Sequence, residues 1–464
     1  MTSNNSNRQR HEKKVRPSLT APSPQFAGIN AGFENKLKRR FALVTAYCGT
    51  SYNAVEGEIM IALQKAGLVK PSNTHPKQLG WNRSSRTDRG VHAIKMVVSM
   101  KLEMDGDTVN RDPAGLELSE RINAHLPDDV RIAAALKVPR PFDGRRACVQ
   151  RTYKYLLPAR YIRESNLTLP ELEQTMNYFL GTHTFHNFCG KRTPTLESMQ
   201  RARDTRSPSD VHIYEEGAND ESSDSVVTRR EYKPNMSREE ERDSFVGEKT
   251  WVRTIREFSV AGPVEVSGGE WYVFTITSNS FLYSMIRKIM TCIIAVLKGI
   301  VPPLYPKVAL DSPFHFAIPL APGEFLYLSD NVFSLSKDSG ALLPYVNVGL
   351  HLDYTREQRD IYETQVRPVL EKLREKAPAG TVEGRTEAFE RDVLLPHIAS
   401  LDRDGDLFRS FDRDALWYCK NGDWEELLPL YYDFEPKYES IVKRREEMKK
   451  MKQKMKEESS SEGS

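Results

Sequence analysis

Arg83-Ser84-Ser85-Arg86-Thr87-Asp88-Arg89-Gly90-Val91-His92-Ala93 sets one carboxylate between two arginines, with a glycine two residues on. Opposite charges beside a carboxylate favour its ionised form. An ionised Asp in a basic loop is a poor packing residue, but a good group for attacking or deprotonating an anionic substrate. An Asp-x-Gly string alone is most often a solvated turn, so its flanks decide the reading. Upstream, Phe41-Ala42-Leu43-Val44-Thr45-Ala46-Tyr47 is an apolar strand run that ends at Cys48-Gly49-Thr50-Ser51. Residues 54–66 carry Val55, Ile59, Ala62 and Leu63 at helical spacing. Downstream, residues 96–102 read as a strand, 113–125 as a helix and 130–138 as a strand. Residues 39–138 therefore run strand, helix, loop, strand, helix, strand, the order of a ferredoxin-like α+β unit.

The pattern recurs. Residues 151–157 alternate as a strand, 169–180 read as a helix, and 251–260 and 271–277 as two strands. Residues 281–297 form a long apolar helix, stopped by Gly299 and Pro302-Pro303, and 325–328 a short strand. Between them, 191–248 is a polar insertion with ten basic and fourteen acidic side chains, whose composition predicts disorder. The domain organisation expected is a basic, disordered tail at 1–38, a first α+β subdomain at 39–138 and a second at 139–335. A helical extension follows at 336–464, with a Lys/Met/Glu helix at 437–457 near its end.

The 464 residues are 39% hydrophobic and 28% charged, which fits a soluble chain of two or three domains. No charge-free apolar run reaches the ~18 residues that cross a bilayer, and the polar N-terminus lacks a secretory core. Five cysteines, widely spaced and without Cys-x-x-Cys, suggest neither a disulfide framework nor a zinc ribbon, and favour a reducing compartment. Net charge is only +3, yet residues 1–40 hold nine Lys/Arg against two Glu, and 443–456 hold eight against two. Basic ends around an acidic insertion suit a nucleic-acid partner better than a membrane. Asp402-Arg403-Asp404-Gly405-Asp406 is not a calcium loop, because its glycine falls at position 4 rather than 6.

The 281–297 helix contains no acidic residue, and its apolar side chains cover nearly its whole circumference. Arg287 lies in its middle, with Tyr283, Ser284, Met290 and Thr291 as helical neighbours. A buried arginine without an anion is costly, so its partner must come from elsewhere in the fold, unless the side chain snorkels to solvent beside Lys288.

Ser85-Arg86-Thr87-Asp88-Arg89-Gly90-Val91-His92-Ala93 resembles the active-site loop of the TruA-type tRNA pseudouridine synthases, in its eukaryotic form. Three further strings are similar to family motifs in the same order: Arg151-Thr152-Tyr153-Lys154-Tyr155, the turn Gly181 to Phe188, and Ser280-Phe281-Leu282-Tyr283-Ser284-Met285-Ile286-Arg287. The resemblance covers roughly residues 39–335. It implies two ferredoxin-like subdomains whose sheets join into one extended mixed sheet, with a basic cleft between them. It implies catalytic roles for Asp88, Tyr153 and Arg287, with Arg287 paired to Asp88 and Tyr153 stacked on the target uracil. Arg86, Thr87, His92 and Leu326 are implied on the substrate side, His92 as a residue that positions the loop rather than an acid-base catalyst.

The implied reaction turns uridine in tRNA into pseudouridine by breaking an N-glycosidic bond and remaking it at C5 of the same base. It changes no oxidation state, so no cofactor or metal is expected, and no nucleotide-binding or metal motif is found. His183, His186 and Cys189 are read as a turn that packs Phe185 and Phe188 rather than as zinc ligands. Lys95 is read as a phosphate contact or a solvated lysine. Asn53-Ala54 replaces a Gly-x-Gln stretch usual in the family, and Phe325 stands where the family generally has Gly. The rival reading is an RNA-binding protein or tRNA folding chaperone on the same fold, without turnover. tRNA is the expected partner, other structured RNAs are a wider option, and the state is a monomer or a homodimer. The basic ends resemble nuclear import signals, which makes the nucleus the expected compartment ahead of mitochondria or cytoplasm.

Overall fold

The computed structural model describes residues 32–33, 36–52, 55–73, 75–105, 112, 115–190, 251–311, 318–334, 351–353, 381–402 and 405–421. The 191–248 insertion, the 437–457 helix and nearly all of the 1–38 tail lie outside these residues.

The first unit runs β1 (Leu37–Tyr47), α1 (Glu56–Lys65), β2 (Asn82–Arg83), β3 (His92–Met104), α2 (Leu116–Asn123) and β4 (Val130–Lys137). Its spatial order is β4-β1-β3, with β2 paired antiparallel on β3 through Asn82↔Ser99 and Arg83↔Val98. The second runs β5 (Cys148–Pro158), α3 (Leu169–Asn177), β6 (Gly181–Thr184), β7 (Val252–Val266), β8 (Gly269–Ser278), α4 (Met285–Leu297) and β9 (Leu326–Ser334). Its order is β9-β5-β8-β7, with β6 added at the outer edge. Both are antiparallel strand-helix-strand-strand-helix-strand units of ferredoxin-like type.

The units fuse where β3 meets β9 in parallel, His92 opposite Tyr327 and Ala93 opposite Leu328, giving one mixed sheet. The fusion follows from the brevity of β2. Two residues cover only Val98 and Ser99 of β3, so the start of that strand is left for β9.

Both faces of the sheet are covered at β1. Successive strand residues point to opposite faces, so β1 feeds two cores: Phe41 and Leu43 join the larger cluster, Ala42 and Val44 the smaller one. In α1, Ile59, Met60, Ala62 and Leu63 are buried, and Glu56, Glu58 and Lys65 sit where the helix dipole favours them. At the start of α3 the Glu171 carboxylate accepts from the backbone N–H and hydroxyl of Thr168, a capping arrangement. α4 is buried nearly all round, as its composition predicts, but it begins at Met285 rather than Phe281. A helix at Tyr305–Asp311 (α5) follows it.

The C-terminal segment lies across the seam. Helix α6 (Val382–Phe389) continues through a wide turn at Glu390–Leu394 into a helix at Leu395–Leu401. Arg385 bonds the Ser119 hydroxyl at 2.9 Å in the first unit. The Glu390 carboxylate accepts from Lys154 at 3.3 Å and from the Tyr327 hydroxyl at 2.5 Å in the second. Lys154 and Tyr327 are register partners one residue out of step with Tyr153 and Leu328, so this contact lies on the opposite face of the sheet. The extension is not wholly helical, because His351–Asp353 (β10) pairs in parallel with β9. Phe325 fills the space between Trp271, stacked at 5.9 Å, and Phe408 of the extension, at 4.5 Å. A glycine there would leave Phe408 with Tyr161, at 5.3 Å, as its ring neighbour.

Candidate active site

The loop from Ser84 to Val91 lies at the seam, and side chains from both units tie it down. Arg151 of β5, 8% exposed, donates through Nε and Nη2 to the Ser84 carbonyl at 2.9 and 2.7 Å. Its Nη1 donates to the carbonyls of Cys148 and Asn279. A buried guanidinium thus spends its donors on backbone oxygens, which is a positioning role. The Ser85 and Tyr153 hydroxyls bond at 2.7 Å, and those of Thr87 and Tyr47 at 2.8 Å. The Val91 N–H closes the turn onto the Asp88 carbonyl at 3.1 Å, with Gly90 at φ +84°. Gly49 touches the loop from below: a Cβ on it would sit 2.1 Å from the Val91 oxygen, which only glycine avoids.

His92 is fully buried. Its Nδ1 accepts from the Gly49 N–H at 2.9 Å, so the ring proton is on Nε2, which bonds the Glu324 carbonyl at 2.7 Å. Burial drives its pKa down to about 4, and the ring stays neutral. His92 therefore pins the loop and the seam, and offers no nitrogen to a substrate.

Asp88 receives the Ser284 hydroxyl on Oδ2 at 2.9 Å, and Arg287 Nη1 stands 3.7 Å from the same oxygen. Arg287 is thus turned inward to Asp88 rather than out beside Lys288. Lys288 is itself buried and donates to the Cys189 carbonyl at 2.7 Å and the Asn187 carbonyl at 3.3 Å. Arg287 Nε donates to the Ala321 carbonyl at 2.7 Å, and Gly323 lies against the guanidinium, where a Cβ would come within 3.3 Å of Cζ.

Tyr153 is 4% exposed and meets Phe281 edge-on at 5.3 Å. Burial pushes its hydroxyl up to about 12, so it stays protonated at neutral pH. Arg86 and Arg89 are exposed on either side of Asp88. Leu326 is buried opposite Tyr155, and Leu328 is the residue across from Tyr153. Lys95 pairs with Asp330 at 3.5 Å. Thus Asp88, Tyr153, Arg287, Thr87 and Arg86 gather at one place, His92 lies beneath it, and Leu326 sits two register pairs from Tyr153. Arg151 and Ser284 had no assigned role in the sequence, although both lie inside the quoted motifs.

His183 and His186 bond the carbonyls of Leu180 and Thr184, while Phe185 and Phe188 pack edge-to-face at 5.8 Å. Among the described residues, Cys48, His92 and His397 bring three metal-binding atoms within 4.8 Å of one another. Both His92 nitrogens are already used, and His397 Nε2 bonds the Thr50 hydroxyl at 2.7 Å. Burial raises the Cys48 thiol to about 12. A metal would have to break these bonds, so the group does not fit a resident ion. The five cysteines are free and buried, and among the described residues no helix is long and apolar enough to cross a membrane.

Comparison with known proteins finds pseudouridine synthases. A family model described as tRNA pseudouridine synthase matches residues 236–334, the part that carries Ser284, Arg287 and β9. The mouse pseudouridylate synthase 1 homolog is 25% identical over 397 residues, 79% of this chain and 71% of that protein. The tRNA pseudouridine synthase A of Methanosarcina barkeri is 27% identical over 270 residues, 56% of this chain and 72% of that one. The tRNA pseudouridine(38/39) synthase of Saccharomyces cerevisiae is 34% identical over 175 residues, 34% of this chain and 38% of that one. The chain thus spans well under half of this yeast relative and about 70% of the mouse and archaeal ones. With two fused ferredoxin-like units and the aspartate loop at their seam, the chain is similar in sequence and in architecture to the tRNA pseudouridine synthases.

Proposed function

We propose that this chain isomerises uridines of tRNA to pseudouridine, with Asp88 as the carboxylate on which the reaction depends and with no cofactor. The observation that carries this reading is the convergence of Ser284 and Arg287 on Asp88 Oδ2, beside Tyr153. The N1–C1′ bond breaks, the uracil turns, and C5 bonds to C1′. The C5 proton leaves to solvent and N1 is left protonated. Asp88 serves either by attacking C1′ or by taking the C2′ proton, and both tasks need an ionised, oriented carboxylate. Arg287 stabilises that anion and is itself held by the Ala321 carbonyl.

The freed uracil must be retained while it turns, and an aromatic ring suits this, stacking being worth ~1–3 kcal/mol per base. Because Tyr153 is buried, its contact with a base requires Phe281 to move aside. Flipping a paired uridine costs a few kcal/mol. Arg86 and Arg89 offer phosphate contacts that offset it, at the cost of salt sensitivity. We assign the enzyme to the nucleus from its basic ends; imaging of a tagged full-length chain checks this.

The test of the reaction is tritium release from tRNA transcripts carrying [5-³H]uridine. Wild-type protein releases tritium, and Asp88→Ala loses release by about 10³-fold or more while retaining tRNA binding. Unchanged release from Asp88→Ala sinks the role of Asp88. Tight binding without release by the wild type favours an RNA-binding protein without turnover.

A further inference from the structure

Ser284 stands at the N-cap of α4, where a serine normally turns its hydroxyl back to accept from the first backbone N–H groups of its own helix. Here it makes no such cap. Its hydroxyl donates instead to Asp88 Oδ2 at 2.9 Å, across 196 residues of sequence. The backbone is set for this: Ser284 has φ +58°, a left-handed conformation that costs an L-residue energy. The other non-glycine residue at positive φ among those described, Ser267, lies in the β7–β8 hairpin turn, where such values are ordinary. Ser284 is in no hairpin. Gly190 holds it in place, donating to the Tyr283 carbonyl at 2.9 Å. A Cβ at Gly190 would fall 2.3 Å from the Tyr283 ring and 3.3 Å from Ser284 Oγ.

The two contacts on Asp88 differ in kind. Arg287 at 3.7 Å is beyond hydrogen-bond range, and an ion pair at that distance fixes charge more than direction. The Ser284 hydroxyl at 2.9 Å is directional. We infer that Ser284 is a positioning residue for the reaction: its hydroxyl sets the rotamer of the Asp88 carboxylate, and the left-handed turn exists to aim it. This rests on the functional reading above, in which Asp88 is the reacting carboxylate.

Glycine at 284 separates this from a purely structural role. It suits φ +58° better than serine does but has no donor. The measurement is single-turnover pseudouridine formation on a tRNA transcript, with tRNA affinity and thermal midpoint on the same samples, for wild type, Ser284→Gly, Ser284→Asn and Asp88→Ala. Ser284→Gly should turn over about ten- to hundredfold more slowly, the range for losing a hydrogen bond to a charged group. Its tRNA affinity should stay within twofold and its midpoint equal or exceed wild type. Ser284→Asn should recover part of the rate, because asparagine tolerates positive φ and carries an N–H donor. A Ser284→Gly rate within twofold of wild type, with Asp88→Ala inactive, overturns this inference alone. An active Asp88→Ala overturns the functional reading and this inference with it.

Discussion

The two ferredoxin-like units differ most at their second strand. In the first unit it is the two residues of β2; in the second it is the fifteen-residue β7. The long strand gives its unit a continuous platform, with β6 pairing the outer edge over Val252 to Ile255. The short strand leaves the start of β3, His92 and Ala93, for β9 and frees the chain from Ser84 to Val91 to cross the seam as a loop. One topology thus yields a continuous partner that supplies Arg151, Tyr153, Ser284 and Arg287, and an interrupted partner that supplies Asp88. In the proposed mechanism the reacting carboxylate sits on the interrupted side, and the groups that orient it sit on the continuous one.

The sharpest break of this division is at Arg287. Glutamine is shorter, but it keeps an N–H where Nε meets Ala321 and removes the guanidinium end whose charge faces Asp88. A part-buried carboxylate that loses its cation is destabilised as an anion. Single-turnover pseudouridine formation should fall about 10³-fold, comparable to removing a preorganised electrostatic partner in other active sites, with thermal stability changed far less. A loss under tenfold would mean that the second unit orients Asp88 without its charge.

A smaller effect belongs to the seam itself. His92 is neutral and buried, with a folded pKa of about 4 against about 6.5 unfolded. Between those values the unfolded chain binds the extra proton, so stability rises with pH across this window. The contribution is fully present above pH ~6.5 and is lost as pH falls toward 4, about 3 kcal/mol in all. His397, edge-on at 5.6 Å, is also shifted down by burial and acts in the same direction. Comparing urea unfolding of wild type and His92→Gln from pH 7 to pH 4 isolates the His92 share. The variant should be less stable at pH 7 and flatter with pH; parallel curves would place the acid sensitivity elsewhere.

How much of this was legible in the sequence follows from what each element depends on. α1, α2, β4 and α3 depend on local apolar periodicity and lie where the periodicity places them, while β1 begins at Leu37, four residues before its apolar run. β3 begins at His92 rather than Met96 because pairing with β9, not hydrophobicity, organises its first residues. β9 runs through Ser329, Asp330 and Asn331, polar residues that no alternation would extend. Ser329 bonds the Thr152 carbonyl and Asn331 the Lys95 carbonyl, so cross-strand partners make the extension possible. α4 starts four residues late because Ser284 is left-handed, a conformation serine does not advertise. Asp88, Tyr153 and Arg287 were singled out because motifs carry them, and the fold places them at the seam. Arg151 and Ser284 act through contacts 67 and 196 residues away, which sequence spacing does not encode.

The smallest expected effect tests whether the C-terminal segment tightens the seam or merely covers it. Glu390 accepts from Lys154 and from Tyr327 on the face opposite the site. In Glu390→Gln the amide oxygen can still accept from Tyr327, but Lys154 loses its anion. Lys154 is one-third exposed and its solvation is largely retained, so the cost is at most about 1 kcal/mol. A double-mutant cycle with Lys154→Met in urea unfolding separates the ion pair from the packing of both side chains. If the segment tightens the seam, the coupling is positive and turnover is unchanged, because the contact is on the far face from Asp88. A fall in turnover without loss of stability would reverse the division of labour drawn above: the orientation of Asp88 would then depend on the reverse face as well as on the long-stranded unit.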